Sequence, residues 1–220
     1  MELILWSVSS SCIISAFFIF GGSDILSLIA SLIGITSILF SAKGNPAGPL
    51  LMIFFSLLYG YISFSFSYYG EMITYLGMTM PMSIFALVAW LRNTYNGNRS
   101  EVRIGQISGR AEITVIVLIS GALTMLFYFI LKAFNTANLI PSTLSVTTSF
   151  IAVFLTYRRI SLFALAYAAN DLVLIVLWGL ACVKDSRYLS VLVCFCAFLV
   201  NDLYCYISWK KRKGLQTKSG

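Results

Sequence analysis

The sequence predicts an all-α, polytopic membrane protein of eight helices, and three observations carry that prediction. Of 220 residues, 59% are hydrophobic and only 10% are charged. A soluble domain of this size could not hide so much apolar surface, so lipid is the solvent for most of it. The apolar residues come in continuous runs that, at ~1.5 Å per residue, cross a hydrocarbon core of roughly 30 Å as helices; a membrane β-barrel would show short alternating segments instead. Finally, an eight-helix count places twelve of the fifteen basic residues on one side, as the positive-inside rule requires.

The first run, 4–20, follows only Met1-Glu2-Leu3, with no basic leader and no small-residue cleavage site, and reads as a retained helix. The second, 24–42, ends at the turn signal Lys43-Gly44-Asn45-Pro46. The third, 48–69, holds Tyr59-Gly60-Tyr61. The fourth, 71–91, contains Pro81, which frees a carbonyl one turn earlier and predicts a kink. Residues 92–110 form the one long polar stretch, with Asn96-Gly97-Asn98 and four arginines. The fifth helix covers 111–133. The sixth opens near Pro141-Ser142 and ends at Tyr157-Arg158-Arg159. The seventh and eighth cover 161–183 and 187–209, and a basic tail, 210–220, follows.

Lys43, Arg92, Arg99, Arg103, Arg110, Arg158, Arg159 and the tail cations Lys210, Lys211, Arg212, Lys213 and Lys218 share the side of both termini. Lys132, Lys184 and Arg187 face the other side with Asp24, Glu71 and Asp185. Both termini are therefore expected in the cytoplasm of a multi-pass protein of the inner or plasma membrane. The tail reads as an anchor on anionic lipid, so the +7 charge does not imply nucleic acid. The absence of histidine excludes histidine metal sites and Ser-His-Asp triads. Cys12, Cys182, Cys194, Cys196 and Cys205 lie in apolar runs without metal-ligand spacing and read as packing. No metal or cofactor is expected.

The last two helices each hold an Asn-Asp pair, Asn170-Asp171 and Asn201-Asp202. A carboxylate at the centre of a membrane helix costs about 2.5–3.5 kcal/mol on insertion scales, so both pairs should face each other or a watered cavity. The competing reading is interhelical hydrogen-bond glue. Asp171 and Trp178 share a helix face, as do Asp202, Tyr206 and Trp209. A carboxylate with a ring two turns away suits a ring-bearing polyol. Trp90 and Trp209 sit beside basic residues at helix ends and read as interface anchors, while Tyr59 and Tyr61 are divided between site lining and packing. A buried carboxylate that binds a proton can also carry one, so Asp171 and Asp202 keep proton symport open.

A weak internal repeat relates helices two to four to helices six to eight, matching Lys43 with Arg158 and Pro81-Met82-Ser83 and Trp90 with Asn201-Asp202 and Trp209. The units would be 24–91 and 134–209, joined by the cytoplasmic loop 92–110 and a connector helix, 111–133, with 1–23 as an extra N-terminal helix. One connector leaves the units parallel, a 3+1+3 arrangement like that of SWEET-type sugar carriers, with substrate at the midplane. Aligning the halves puts Ser83 opposite Asp202 and Phe55 opposite Asn170.

Ala42-Lys43-Gly44, Leu57-Leu58-Tyr59-Gly60-Tyr61-Ile62, Tyr69-Gly70-Glu71-Met72, Pro81-Met82 and Trp90 stand in the first half. Asn170, Trp178, Asn201, Tyr204, Tyr206 and Trp209-Lys210-Lys211 stand in the second. As an ordered set these resemble the PnuC-type vitamin-precursor transporters, best known for nicotinamide riboside. The resemblance implies the SWEET-like bundle and facilitated diffusion, with a cytoplasmic kinase that traps the substrate by phosphorylation. It also implies a substrate path through Asn170, Trp178, Asn201 and Tyr204. Phe55 and Ser83 stand where the family usually has Asn and Gln, so thiamine, riboflavin and deoxynucleosides join nicotinamide riboside as candidate substrates. The expected site comprises Asn170, Asp171, Trp178, Asn201, Asp202, Tyr204, Ser83, Tyr59 and Tyr61, catalytic residues none. An integral-membrane enzyme or an assembly factor is the competing class, and a homo-oligomer is left open.

Overall fold

The computed structural model describes residues 2–20, 25–65, 69–136, 138–183 and 186–218. The charge assignments of Asp24, Lys184 and Asp185 lie outside the described residues. Eight helices among the described residues are long and apolar enough to span a membrane. They are α1 (Glu2–Ile19), α2 (Ile25–Ala42), α3 (Ala47–Ser65), α4 (Tyr69–Arg92), α5 (Arg110–Ala133), α6 (Leu139–Tyr157), α7 (Phe163–Cys182) and α8 (Leu189–Lys218).

Helix neighbours fall into matched sets. α2 packs on α3, and α6 on α7; α3 packs on α4, and α7 on α8. Across the bundle α2 meets α8, and α4 meets α6. α5 leans mainly on α6, while α1 lies against α2 and α8. The helices come close where side chains are small: a Cβ on Gly48 would stand 2.7 Å from the Ser41 backbone nitrogen, and the Ser37 hydroxyl donates to the Gly48 carbonyl at 2.8 Å.

Pro81 acts as its chemistry demands, disturbing the helix at the turn before it. Residues Tyr75–Thr79 form a π turn inside α4. Pro81 has no N–H for the carbonyl four residues before it, and widening the ladder absorbs the loss. Thr79 Oγ1 donates to the Thr74 carbonyl at 3.3 Å, tying the widened turn together.

Two polar segments carry more structure than their composition suggests. In the long polar stretch, β1 (Thr94–Tyr95) pairs antiparallel with β2 (Asn98–Val102). Asn96 and Gly97 turn between them with φ of 49° and 74°, the positive-φ pair that a tight hairpin needs. The hairpin end is stitched to three helix ends: Val102 N–H to Gly44 O at 2.9 Å and Gly105 N–H to Arg159 O at 2.9 Å, and Ile104 N–H to Gln216 Oε1 at 2.9 Å. The expected tail is the end of α8, which continues to Lys218. Lys and Arg are good helix formers and suit a helix C-terminus, and Arg212 is fastened to Glu101 at 2.9 Å.

Trp90 and Trp209, expected at the lipid interface, are instead fully buried. Their ring centroids are 5.4 Å apart, with Phe163 packed 4.8 Å from Trp209. Trp90 Nε1 donates to Thr156 O on α6 at 2.9 Å, and Trp209 Nε1 donates to Ser41 O on α2 at 2.7 Å. An indole N–H in apolar surroundings needs an acceptor, and each finds one across the bundle. Replacing Trp209 by Phe keeps a ring but removes the donor. It should lower the melting temperature of the detergent-purified protein by roughly 2–6 °C, and Trp90→Phe should match it. An unchanged melting temperature in both variants would show that these bonds contribute nothing.

Candidate functional site

One cavity gathers side chains from six helices. α2 supplies Gly34, Ile38 and Ser41; α3 supplies Met52 and Phe55; α4 supplies Tyr75 and Thr79 from its π turn. α6 supplies Ser149 and Val153; α7 supplies Phe163, Tyr167, Asn170, Asp171 and Leu174; α8 supplies Phe195, Phe198 and Asp202. Among the described residues, none from α1 or α5 lines it. Its volume is about 50 Å³, against the roughly 300–1,000 Å³ of small-molecule sites. It has room for a water or two and is too small for a molecule with several rings.

The polar wall is built from α6, α7 and α8. Asn170 Oδ1 accepts hydrogen bonds from Thr148 Oγ1 at 2.8 Å and Ser149 Oγ at 3.1 Å. Both lone pairs of that oxygen are thereby used, so the amide N–H groups are what Asn170 can offer a ligand. Asp171 and Asp202 are within hydrogen-bonding reach of one another. Both are almost fully buried, and Asp171 Oδ2 has no hydrogen-bond partner. Leaving such an acceptor unsatisfied costs about 1–3 kcal/mol, more for a charged group. The site therefore favours a ligand that brings a donor or a positive charge. Tyr167, one turn before Asp171 and hydrogen-bonded to Thr156, closes this wall.

Aromatic rings make up much of the remaining lining. Phe55 lies 5.7 Å from Tyr75 and 6.0 Å from Phe198, ring centroid to centroid, with both contacts edge-on. Gly34 makes room for them, since a Cβ there would stand 2.5 Å from Phe198 Cζ and 3.1 Å from the Phe55 ring. Flat rings and carboxyl groups lining one cavity make a place for a planar, electron-poor ring.

The expected site residues divide. Asn170, Asp171 and Asp202 line the cavity. Ser83 lines a smaller adjoining space that shares Ser41, Met52, Val153, Phe163 and Tyr167 with it. Tyr59 sits one layer back, stacked on Phe55 at 5.4 Å. Four positions stand off the wall. Tyr61, two residues on from Tyr59, points outward and is 61% exposed. Asn201 is one residue, about 100° of helix, from Asp202, and donates to Ser9 Oγ on α1 at 2.8 Å. Tyr204 shares the Asn201 face, and its hydroxyl donates to Glu2 Oε1 at 3.1 Å. Trp178 shares the Asp171 face but lies two turns, about 10 Å, further along, where it packs 5.4 Å from Tyr188.

Tyr75, Thr79, Tyr167, Ser149 and Gly34 line the cavity without having been singled out from sequence. Tyr167 had a signal, lying four residues before Asp171 on one helical face. Ser149 and Gly34 had none, because only the packing of neighbouring helices brings them to the cavity.

A cavity lined by two carboxyl groups and aromatic rings, walled by six helices long enough to span a membrane, fits a membrane carrier for a small molecule. Residues 24–211 match the profile described as nicotinamide mononucleotide transporter, and the chain belongs to that family. The family is one of transporters, so the membrane-enzyme reading falls away. The nicotinamide riboside transporter PnuC of Neisseria mucosa is 25% identical over 214 residues, 94% of this chain and 80% of the relative. The transporter of the same name from Haemophilus influenzae is 24% identical over 187 residues, 84% of this chain and 79% of the relative. A crystal structure of the vitamin B3 transporter PnuC superposes with a TM-score of 0.78, covering 96% of this chain and 89% of that one at 23% identity. The fold is the same.

Gly34→Ala should drive Phe198 into the cavity and raise the KM for uptake several-fold while the helices stay folded. Radiolabelled uptake in proteoliposomes checks this, and an unaltered KM would mean the ring finds space elsewhere.

Proposed function

We propose that this protein carries nicotinamide riboside across the cell membrane by facilitated diffusion, with phosphorylation by a cytoplasmic kinase trapping the product inside. One observation carries the reading: Asp171, with a buried unpartnered oxygen, and Asp202 line the same cavity as the rings of Phe55, Tyr75 and Phe198. Nicotinamide riboside bears a cationic pyridinium ring. Rings of Phe55, Tyr75 and Phe198 would flank it, the carboxylates would balance its charge, and the Asn170 amide with Ser149 would serve the ribose hydroxyls. The names carried by both relatives support the same substrate.

The carboxylates also sort the alternatives. Thiamine is a cation and fits this chemistry; riboflavin and deoxynucleosides are neutral and can offer the Asp171 oxygen a hydrogen bond but no balancing charge. A 3+1+3 arrangement is supported by the matched helix neighbours and by the two tryptophan bonds, which join α4 to the end of α6 and α8 to the end of α2. Cytoplasmic termini are supported by the basic residues gathered at that end. Proton symport is a second reading, favoured by the reach of Asp171 to Asp202: two carboxyl groups can share a hydrogen bond only when one holds a proton.

Nicotinamide riboside should raise the melting temperature of the purified protein by mass action, thiamine should do so to a lesser or equal degree, and neutral ribosides should not. Asp171→Asn should weaken binding at least about tenfold, since a charge-assisted contact is lost. Equal stabilisation by riboflavin or deoxynucleosides, undiminished in the variant, would refute the cationic assignment. An inward-directed pH gradient across proteoliposomes should leave initial uptake rates unchanged under facilitated diffusion; acceleration that disappears in Asp202→Asn would establish symport instead.

A further inference from the structure

The N-terminal helix lies before residue 24, where the family match begins, yet it is bonded to the core at three depths. Glu2, Trp6 and Ser9 follow one another at helical spacing along one face of α1. Glu2 accepts from the Tyr204 hydroxyl at 3.1 Å and pairs with Lys43 Nζ at 3.2 Å. Trp6 Nε1 donates to Thr36 Oγ1 at 3.1 Å. Ser9 Oγ accepts from Asn201 Nδ2 at 2.8 Å.

Two of these contacts grip α8 on the face that carries Asn201 and Tyr204. Asp202 is the next residue after Asn201 and points about 100° around the helix, into the cavity. Ser9 and Asn201 are both buried, so neither has water as an alternative partner. Because side chains on one helix move as a unit, whatever fixes Asn201 and Tyr204 fixes the roll of α8 and with it the direction of Asp202. Towards the cytoplasmic end α8 is held separately, by Ser208 to Ala42 O at 2.8 Å and Trp209 to Ser41 O at 2.7 Å. Near Asp202, the Ser9 and Glu2 bonds tether α8 to α1.

We propose that α1 is a positioning element for the carrier site, in which Ser9 and Glu2 hold α8 at the roll that aims Asp202 at Asp171. Ser9 is a positioning residue: it touches no part of the cavity and acts through Asn201. The proposal rests on the reading that the two carboxylates receive the substrate.

The test uses the full-length protein in proteoliposomes with nicotinamide riboside as probe. Ser9→Ala and Glu2→Ala should each raise KM about three- to tenfold, the effect of losing the hydrogen bond to α8, with Vmax within about twofold of wild type. Ser9→Thr, which keeps the hydroxyl, should restore KM, and Val8→Ala on the exposed side of α1 should leave it unchanged. If α1 only supports the fold, Vmax and melting temperature fall while KM holds, and the proposal is overturned. A substrate-free measurement stands beside it: Ser9→Ala and Asp202→Asn should shift the melting temperature non-additively when combined. Additive shifts overturn the proposal even where KM rises. A wild type that takes up no nicotinamide riboside would defeat the substrate assignment, and the melting cycle would still decide the role of α1.

Discussion

Two carboxylates at membrane depth constrain everything around them. Asp171 and Asp202 cannot face hydrocarbon, so six helices close around them and leave a cavity of about 50 Å³. Helices can approach this closely only where small residues meet, as at Gly48 against Ser41 and at Gly34 under Phe198. The π turn of α4 belongs to the same solution. It takes up the hydrogen bond that Pro81 cannot make and brings Tyr75 and Thr79 to the cavity wall.

The end of the bundle that carries Trp90 and Trp209 is closed by a different kind of contact. Trp90 and Trp209 pack against each other in the core and reach in opposite directions to backbone carbonyls of α6 and α2. Over them, the hairpin bonds to the turn after α2, the turn after α6 and the far end of α8. Widening the cavity toward that side has to part these contacts or move them together. The directional hydrogen bonds favour movement of intact helix groups over the loosening of single residues.

Much of the architecture was legible because the physics behind it is local. Helix number follows from apolar run length against bilayer thickness, and charge partition constrained the same count. The ordered motifs from Ala42-Lys43-Gly44 to Trp209-Lys210-Lys211 also pointed to the family that residues 24–211 match. Other features were misjudged where a local rule met a tertiary partner. Tryptophans beside basic residues suit an interface, yet carbonyls on neighbouring helices claimed their N–H groups. A run of lysine and arginine suits a tail, yet Glu101 and the hairpin hold it as helix. The Asn96-Gly97 turn signal was present in the polar stretch and would have disclosed the hairpin.

By itself, then, the sequence determined a polytopic helical membrane protein of a transporter family with ionisable residues buried in its last two helices. Composition and run length decide the helical membrane class and the buried carboxylates, and the ordered motifs point to the family, all without reference to tertiary contacts. Only the tertiary structure decided which neighbours of those carboxylates share their cavity. Asn201 and Asp202 are adjacent in sequence, yet one faces α1 and the other faces Asp171. The roll of a helix is set by what packs on each side of it, and a helix read alone carries no record of that.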